Sequence, residues 1–371
     1  YGSDAVGGVI NIITRKDFKG AEFSAHYGFA DHYNPFDANG IMGTGWGSGS
    51  ATVALGYSGN PHLPGYKRDF FVNNLQPYGS TDNRDVNCFP PSVTIGTTTY
   101  APPGYEPGQA KCANEGNRDM LTRNRRFGVL GTLTQELGTR ASLLVDAKYT
   151  DNRNDQNQPL PGSPVAISNT NPYFLPIAAA PGATSETVNY SLGGILPQFQ
   201  NTFTNKGLSF TVGVDWNIDD NWRLEERTTY GWSQSTAYNP SFNGALLAAA
   251  AAGTTPDTAL DPFGGHTAPS VVAGIGDYGL LFKARQVLYD GTVKVDGSLF
   301  KLPSGDVKIA IGGAFRREKY DAKNPSGTAS MREMPDAPSA SAVRNVTSGF
   351  VEVLLPVVGE SMAVPGVRKL E

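Results

Sequence analysis

Apolar and polar side chains alternate with period two along much of the chain. The run 208–218 displays this most plainly, with Leu208, Phe210, Val212, Val214, Trp216 and Ile218 interleaved with Ser209, Thr211, Gly213, Asp215 and Asn217. Alternation of this kind predicts a strand with one apolar and one polar face. The same pattern predicts strands at about 21–30, 50–60 and 222–234, a hairpin over 122–152, a second hairpin joining 284–302 to 306–320, and a strand at about 343–357. A weakly patterned, Gly-rich strand is predicted at about 34–47, and Val367–Glu371 reads as the opening of one more. About ten antiparallel strands result.

The connections alternate in length. Tight turns are predicted at Ser48-Gly49, Gly138-Thr139, Asp219-Asp220-Asn221 and Pro303-Ser304-Gly305. Between them lie a brief connection at 31–33 and long Pro-, Gly- and Asn-rich segments over roughly 61–121, up to about Asn201, and 235–283. Short turns on one rim and long loops on the other are the layout of a transmembrane β-barrel.

Composition is compatible with that layout. The 371 residues include 44 Gly, 26 Pro, 16 Tyr and 18 Phe, with 17% charged residues. The longest apolar tract, Ala245–Ala252, is mostly alanine and far short of the ~20 residues that a membrane helix needs. Barrel strands need only ~9–11 residues each and keep average hydrophobicity low, as the mean hydropathy of -0.30 allows. A net charge of -4 with no basic stripe argues against a nucleic-acid partner. The chain starts at Tyr1 without a methionine or signal peptide and reads as part of a longer protein.

The opening residues give the most specific signal. Tyr1, Gly2, Ser3, Asp4, Gly7, Gly8 and Asn11 stand in a run that passes through Val9-Ile10-Asn11-Ile12-Ile13-Thr14 into Arg15-Lys16. The glycines permit close backbone approach, and the β-branched run is a short strand. This segment resembles the end of the plug domain of TonB-dependent outer-membrane receptors, and Phe350–Pro356 resembles a mid-barrel strand of that family. The resemblance implies an all-β antiparallel transmembrane β-barrel, incomplete here at about 10–11 of 22 strands, in two parts: residues 1–17 as the end of the plug and 18–371 as the first part of the barrel. It further implies energy-coupled uptake of a scarce nutrient across the outer membrane of a Gram-negative bacterium. The implied partners are TonB through an N-terminal segment missing from this chain, outer-membrane lipid and lipopolysaccharide, and a small nutrient ligand. A monomer is expected.

Strand parity allows a stricter expectation. Phe23, Val53, Leu55, Phe127, Val129, Val145, Phe210, Val212, Trp216, Tyr230, Val295 and Ile311 should face lipid on the convex side of one curved sheet. Ser24, His26, Asp146, Lys148, Thr211, Asp215, Arg223, Arg227, Lys294 and Lys308 should face the lumen, where Val9–Thr14 of the plug should lie or reach. Trp222 and Trp232 share the apolar face ten positions apart, about 25 Å along the membrane normal at a tilt of ~40°, which matches the apolar band between aromatic girdles. Glu226 falls between them on that face, and a bulge resetting the parity would remove the conflict.

Candidate chemistry is sparse. Cys88 and Cys112 both lie in the first long connection, and in an oxidising compartment a disulfide is their natural use. His26, His32, His62 and His266 have no ligand spacing, so neither a metal nor a cofactor is expected. No nucleophile elbow, phosphate-binding loop or HExxH motif occurs, and no enzyme activity is expected. Arg84, Arg118, Arg123 and Arg126, with Lys111 and Arg125, concentrate positive charge near the first long connection. They are candidate contacts for an anionic ligand, or a surface that pairs with lipopolysaccharide or neighbouring acids. A passive porin or adhesive barrel would share the strands but needs no plug. A secreted carbohydrate-binding sandwich would need a second sheet over the apolar rows.

Overall fold

The computed structural model describes residues 18–329 and 338–358. The plug-like motif from Tyr1 to Lys16 and the segment Val367–Glu371 lie outside the described residues. Ten strands form one antiparallel meander: β1 Gly20–Tyr27, β2 Phe36–Trp46, β3 Gly49–Asn60, β4 Arg123–Leu137, β5 Ala141–Asn157, β6 Gln200–Asn217, β7 Trp222–Ser241, β8 Tyr278–Leu302, β9 Gly305–Lys323 and β10 Ala340–Leu354. Each pairs with the next in sequence, and the two-residue strand Ser326–Gly327 adds to β8. The sheet is open. Among the described residues β1 and β10 are its two edges, so no closed barrel is formed.

The tight turns all fall at one end of the sheet, between β2 and β3, β4 and β5, β6 and β7, and β8 and β9. Gly138 (φ 76°) and Gly305 (φ 142°) supply the left-handed or extended-positive backbone that two of these turns require. The long connections leave the opposite end. The link between β1 and β2 runs longer than its sequence suggests, because β1 stops at Tyr27, where Gly28 N–H bonds Pro35 O at 2.8 Å and Ala30 bridges Tyr33.

Most strands also outrun their predicted ends toward the long connections. β8 spans 25 residues and β7 spans 20. The reason is that alternation marks only the stretch with an apolar face, whereas the hydrogen-bonded ladder continues through segments such as Ser233–Ser241, where both faces are polar.

The register sorts side chains into two faces. One row reads Leu55, Val129, Tyr149, Leu208, Trp232 and Val287 across six neighbouring strands, and another reads Trp216, Leu224, Val295, Ile311 and Val351. Every residue expected on the apolar side falls on this face, and every residue expected on the lumen side falls on the other. Among the described residues no second sheet covers the apolar face: Phe23 is 77% exposed and Val351 65%, while Thr52 and Thr132 on the polar face are nearly fully buried. The usual inside-out order of a soluble sheet is reversed.

Glu226 lies on the apolar face without any bulge. It stands opposite Val214 and Val293 in uninterrupted register, so the expected parity reset does not occur there. The break falls instead between Ser298 and Phe300 of β8, where it turns Phe300 and Leu302 onto the apolar face near the turn with β9.

The long connections are not open loops. Ser92–Ile95, Thr98–Ala101 and Glu106–Pro107 from the first connection join Gly162–Ser168 and Ser185–Ser191 from the second in a five-stranded sheet. The third connection contributes helices α1 (Gly244–Ala251) and α2 (Pro269–Gly276). Asn243 caps α1, its side-chain oxygen accepting Leu246 N–H at 3.1 Å, and Pro269 opens α2. A hydrophobic core runs through all three, with Val93, Ile167, Val188, Leu192, Leu247 and Ile275 buried together. The alternation in Ser92–Ile95, Pro164–Ser168 and Thr187–Ser191 is the short-range signal of this second layer, diluted in the sequence by Pro and Gly on either side.

Candidate functional site

The mouth of the sheet, where the long connections emerge, gathers most of the buried polar chemistry. At its base His62 Nδ1 lies 2.6 Å from Asp119 Oδ2, and Asp119 also accepts the backbone and side-chain N–H groups of Asn157 at the end of β5. This pins the first connection to the second. Asp119 is 4% exposed, so the three donors replace the water it loses.

Cys88 and Cys112 are disulfide-bonded, with Cα atoms 5.7 Å apart. The bond is flanked by paired backbone: Asp85 and Cys112 exchange N–H···O bonds of 3.0 and 2.9 Å, and Cys88 O accepts Ser191 N–H. The first connection is thereby held against the five-stranded sheet.

The arginines singled out in the sequence do not converge. Arg84 forms a two-pronged pair with Asp82, which Lys111 also contacts at 3.1 Å. The Arg84 guanidinium holds the Asp82 carboxyl well below the usual carboxylate range. Arg118 lies over the ring of Phe71. Arg126 is on the polar face, bonded to Asn124 Oδ1 at 3.1 Å, whereas Arg123 and Arg125 lie on the opposite face. Sequence proximity suggested a cluster, but parity within β4 splits it, and Asp82 neutralises Arg84 and Lys111.

Near the tight turns the polar face carries an ion-pair lattice. Arg223 and Arg227 both reach Asp215, at 3.1 and 2.6 Å, Arg223 also meets Glu225, and Lys294 bridges Glu225 and Asp296. Charges are balanced within the lattice, which sets the spacing of β6, β7 and β8 without leaving a surplus for a ligand.

Two buried acids in the cap were not anticipated. Glu186 is 2% exposed, with Oε1 accepting Leu175 N–H at 3.0 Å and Oε2 left without a partner. Burial pushes its carboxyl up to about 7. Asp261 is equally buried, but the N–H groups of His266, Phe263 and Gly264 and the His266 ring offset desolvation and hold it below the usual range. Against Asp261, His266 stacks on Tyr173 with an interplanar angle of 8°. Glu186 follows Thr184 and Ser185 in sequence and gives no period-two hint of burial until Val188 and Tyr190. Among the described residues no group of three His, Cys, Asp or Glu side chains converges as a metal site.

No family model matches the chain, and no curated protein matches it.

Proposed function

We propose that this chain is part of a β-barrel of the bacterial outer membrane and belongs to a TonB-dependent uptake receptor, with the polar face lining a lumen and the cap outside the cell. The observation that carries the membrane assignment is the exposed apolar face. It is continuous across neighbouring strands and bounded by aromatic side chains at both ends: Trp46, Trp216 and Trp222 toward the tight turns, and Tyr57, Phe127, Tyr149 and Trp232 toward the long connections. Hydrocarbon between two aromatic girdles accounts for that arrangement, whereas water on the same face would leave it unexplained.

Energy-coupled import is supported by the plug-like sequence at Tyr1–Lys16. A passive porin accounts for the strands but not for that segment. The cap, stiffened by its own core and a disulfide, is the part suited to capture a small nutrient before the plug rearranges. No catalytic role is assigned to any residue.

The test uses the full-length gene. Its product should require detergent for extraction, and a deletion strain should lose growth on one scarce nutrient, whether a ferric chelate, a cobalamin or a saccharide. Import that persists after the inner-membrane energy source is collapsed would favour the passive barrel, and extraction without detergent would remove the membrane assignment.

A further inference from the structure

Below the mouth, the polar face of β1 to β5 is hollowed into a cavity of about 770 Å³. That size suits a small solute. Register fixes its walls: Arg126 and Asn152 stand on one side, Leu130 and Lys148 on the other, and the row between them runs through Gly56, Gly128 and Thr150. The lining holds one carboxylate, Glu22 on β1, which lies in the row of Lys148 but four strand spacings away, roughly 19 Å at ~4.8 Å per strand.

Arg126 and Lys148 are the cations of this cavity. Arg126 bonds only the neutral Asn124 side chain, and neither cation has an ion-pair partner within 4.0 Å among the described residues. Asp146, two positions from Lys148 on the same face, lies outside the cavity. This differs from the lattice near the tight turns, and from Arg316 and Arg344, which pair with Asp290 and Glu318. Gly128 is an independent sign. Its backbone is not left-handed, and a Cβ there would meet nothing closer than Tyr149 O at 3.8 Å, so the sheet itself sets no demand for glycine. Glycine inside a strand weakens it and marks a place where another group approaches the backbone closely.

We propose that this cavity is a binding site for an acidic saccharide about two rings long, one carboxylate on the Arg126 guanidinium and the other on the Lys148 ammonium. It names the substrate class of the uptake reading above and rests on that reading, in which the polar face lines a lumen. Arg126 and Lys148 are four residues and one strand apart, roughly 14 Å between Cα atoms, so their side chains reach one elongated solute from opposite walls. Arginine takes a carboxylate in two-pronged fashion, and lysine supplies a point charge. Between them Asn39, Asn152, Thr150 and Ser58 offer amide and hydroxyl partners to sugar hydroxyls. No aromatic side chain of the polar face lines the cavity, so a flat aromatic chelator has no platform to stack on. Gly56 and Gly128 let the sugar rings lie against the strands.

The experiment is calorimetric titration of the full-length protein in neutral detergent with digalacturonate, its uncharged dimethyl ester and citrate. Digalacturonate should bind at least about tenfold more tightly than the ester, and than citrate, which carries more charge on a shorter frame. Its affinity should fall as salt rises. Arg126→Gln and Lys148→Gln should each weaken it about tenfold or more. Gly128→Leu, which fills the cavity where a Cβ has room, should abolish binding. Lys308→Gln, which removes equal charge from the polar face outside the cavity, should leave it unchanged. Absence of digalacturonate binding, equal affinity for the ester, tighter binding of citrate, or equal losses in Lys308→Gln and Lys148→Gln overturns the proposal. So does Gly128→Leu that binds normally but unfolds more easily, because the cavity then holds another part of the protein. In a protein that requires detergent these failures leave the membrane reading standing, whereas one that stays monodisperse without detergent overturns both.

Discussion

Thr228 donates its hydroxyl to a carboxylate oxygen of Glu226 at 2.5 Å, two positions along one strand and on the face that carries Val214 and Val293. The carboxylate has found a local donor rather than a cation. In a lipid-facing position that arrangement still costs free energy, less than the ~2–4 kcal/mol of a midplane Lys or Arg. Glu226→Leu should therefore hold or raise stability by up to about 1 kcal/mol, read by urea unfolding of the full-length protein in vesicles. A clear loss would mean that the carboxylate is held by a specific contact outside this chain.

Parity gives a sharper contrast between adjacent residues. Val212→Arg, on the apolar face between Val145 and Thr228, should cost about 2–4 kcal/mol, whereas Thr211→Arg on the polar face should cost little. The comparison is made by folding yield in vesicles for the two variants side by side. Equal penalties would remove the distinction between the two faces.

Glu186 makes the cap sensitive to pH in a direction opposite to most acids. Its ordinary value is 4.5 and burial raises it to about 7 in the folded cap. The folded state thus holds the proton more tightly than the unfolded chain. No penalty exists below about pH 4.5, it grows through the window up to 7, and it is complete above, on the order of 3 kcal/mol at most. Proteolysis of the cap should accelerate from pH 5 to pH 8, and Glu186→Gln should flatten that profile. An unchanged profile in the variant would place the pH response elsewhere.

Reduction of Cys88–Cys112, or replacement of both by Ser, should loosen the first connection by a nominal ~3 kcal/mol in the chain-entropy model, given a separation of 24 residues. The effect should be local. New cleavage sites between Gln76 and Glu106 are expected, with the unfolding midpoint of the ten-stranded sheet unchanged. A fall in that midpoint would show that cap and sheet unfold together.

The sheet was largely legible in the sequence because a strand with one apolar face repeats every second residue, and Phe210 to Trp216 leave no second parity open. The strand extensions were not, since Ser233–Ser241 carries no such contrast. The cap was illegible for another reason: Val93, Val188 and Leu247 come from three connections separated by more than fifty residues, and each apolar patch is too short to predict a core by itself. The arginine cluster failed at Arg125 and Arg126, neighbours in sequence whose side chains leave the strand in opposite directions. Glu226 needed no bulge because a threonine two residues on already supplied its hydrogen bond.

The cap core has a kinetic side as well. Each tight turn closes a hairpin between strands adjacent in sequence, a local event that requires little loop-closure entropy. The cap joins Val93, Ile167, Leu192, Leu247 and Ile275, whose segments leave the sheet from different hairpins and meet only after β3 through β8 have found one another. Assembly therefore has a direction. Hairpins come first, their lateral union second, and the cap last, so that a finished cap certifies a correctly ordered wall beneath it.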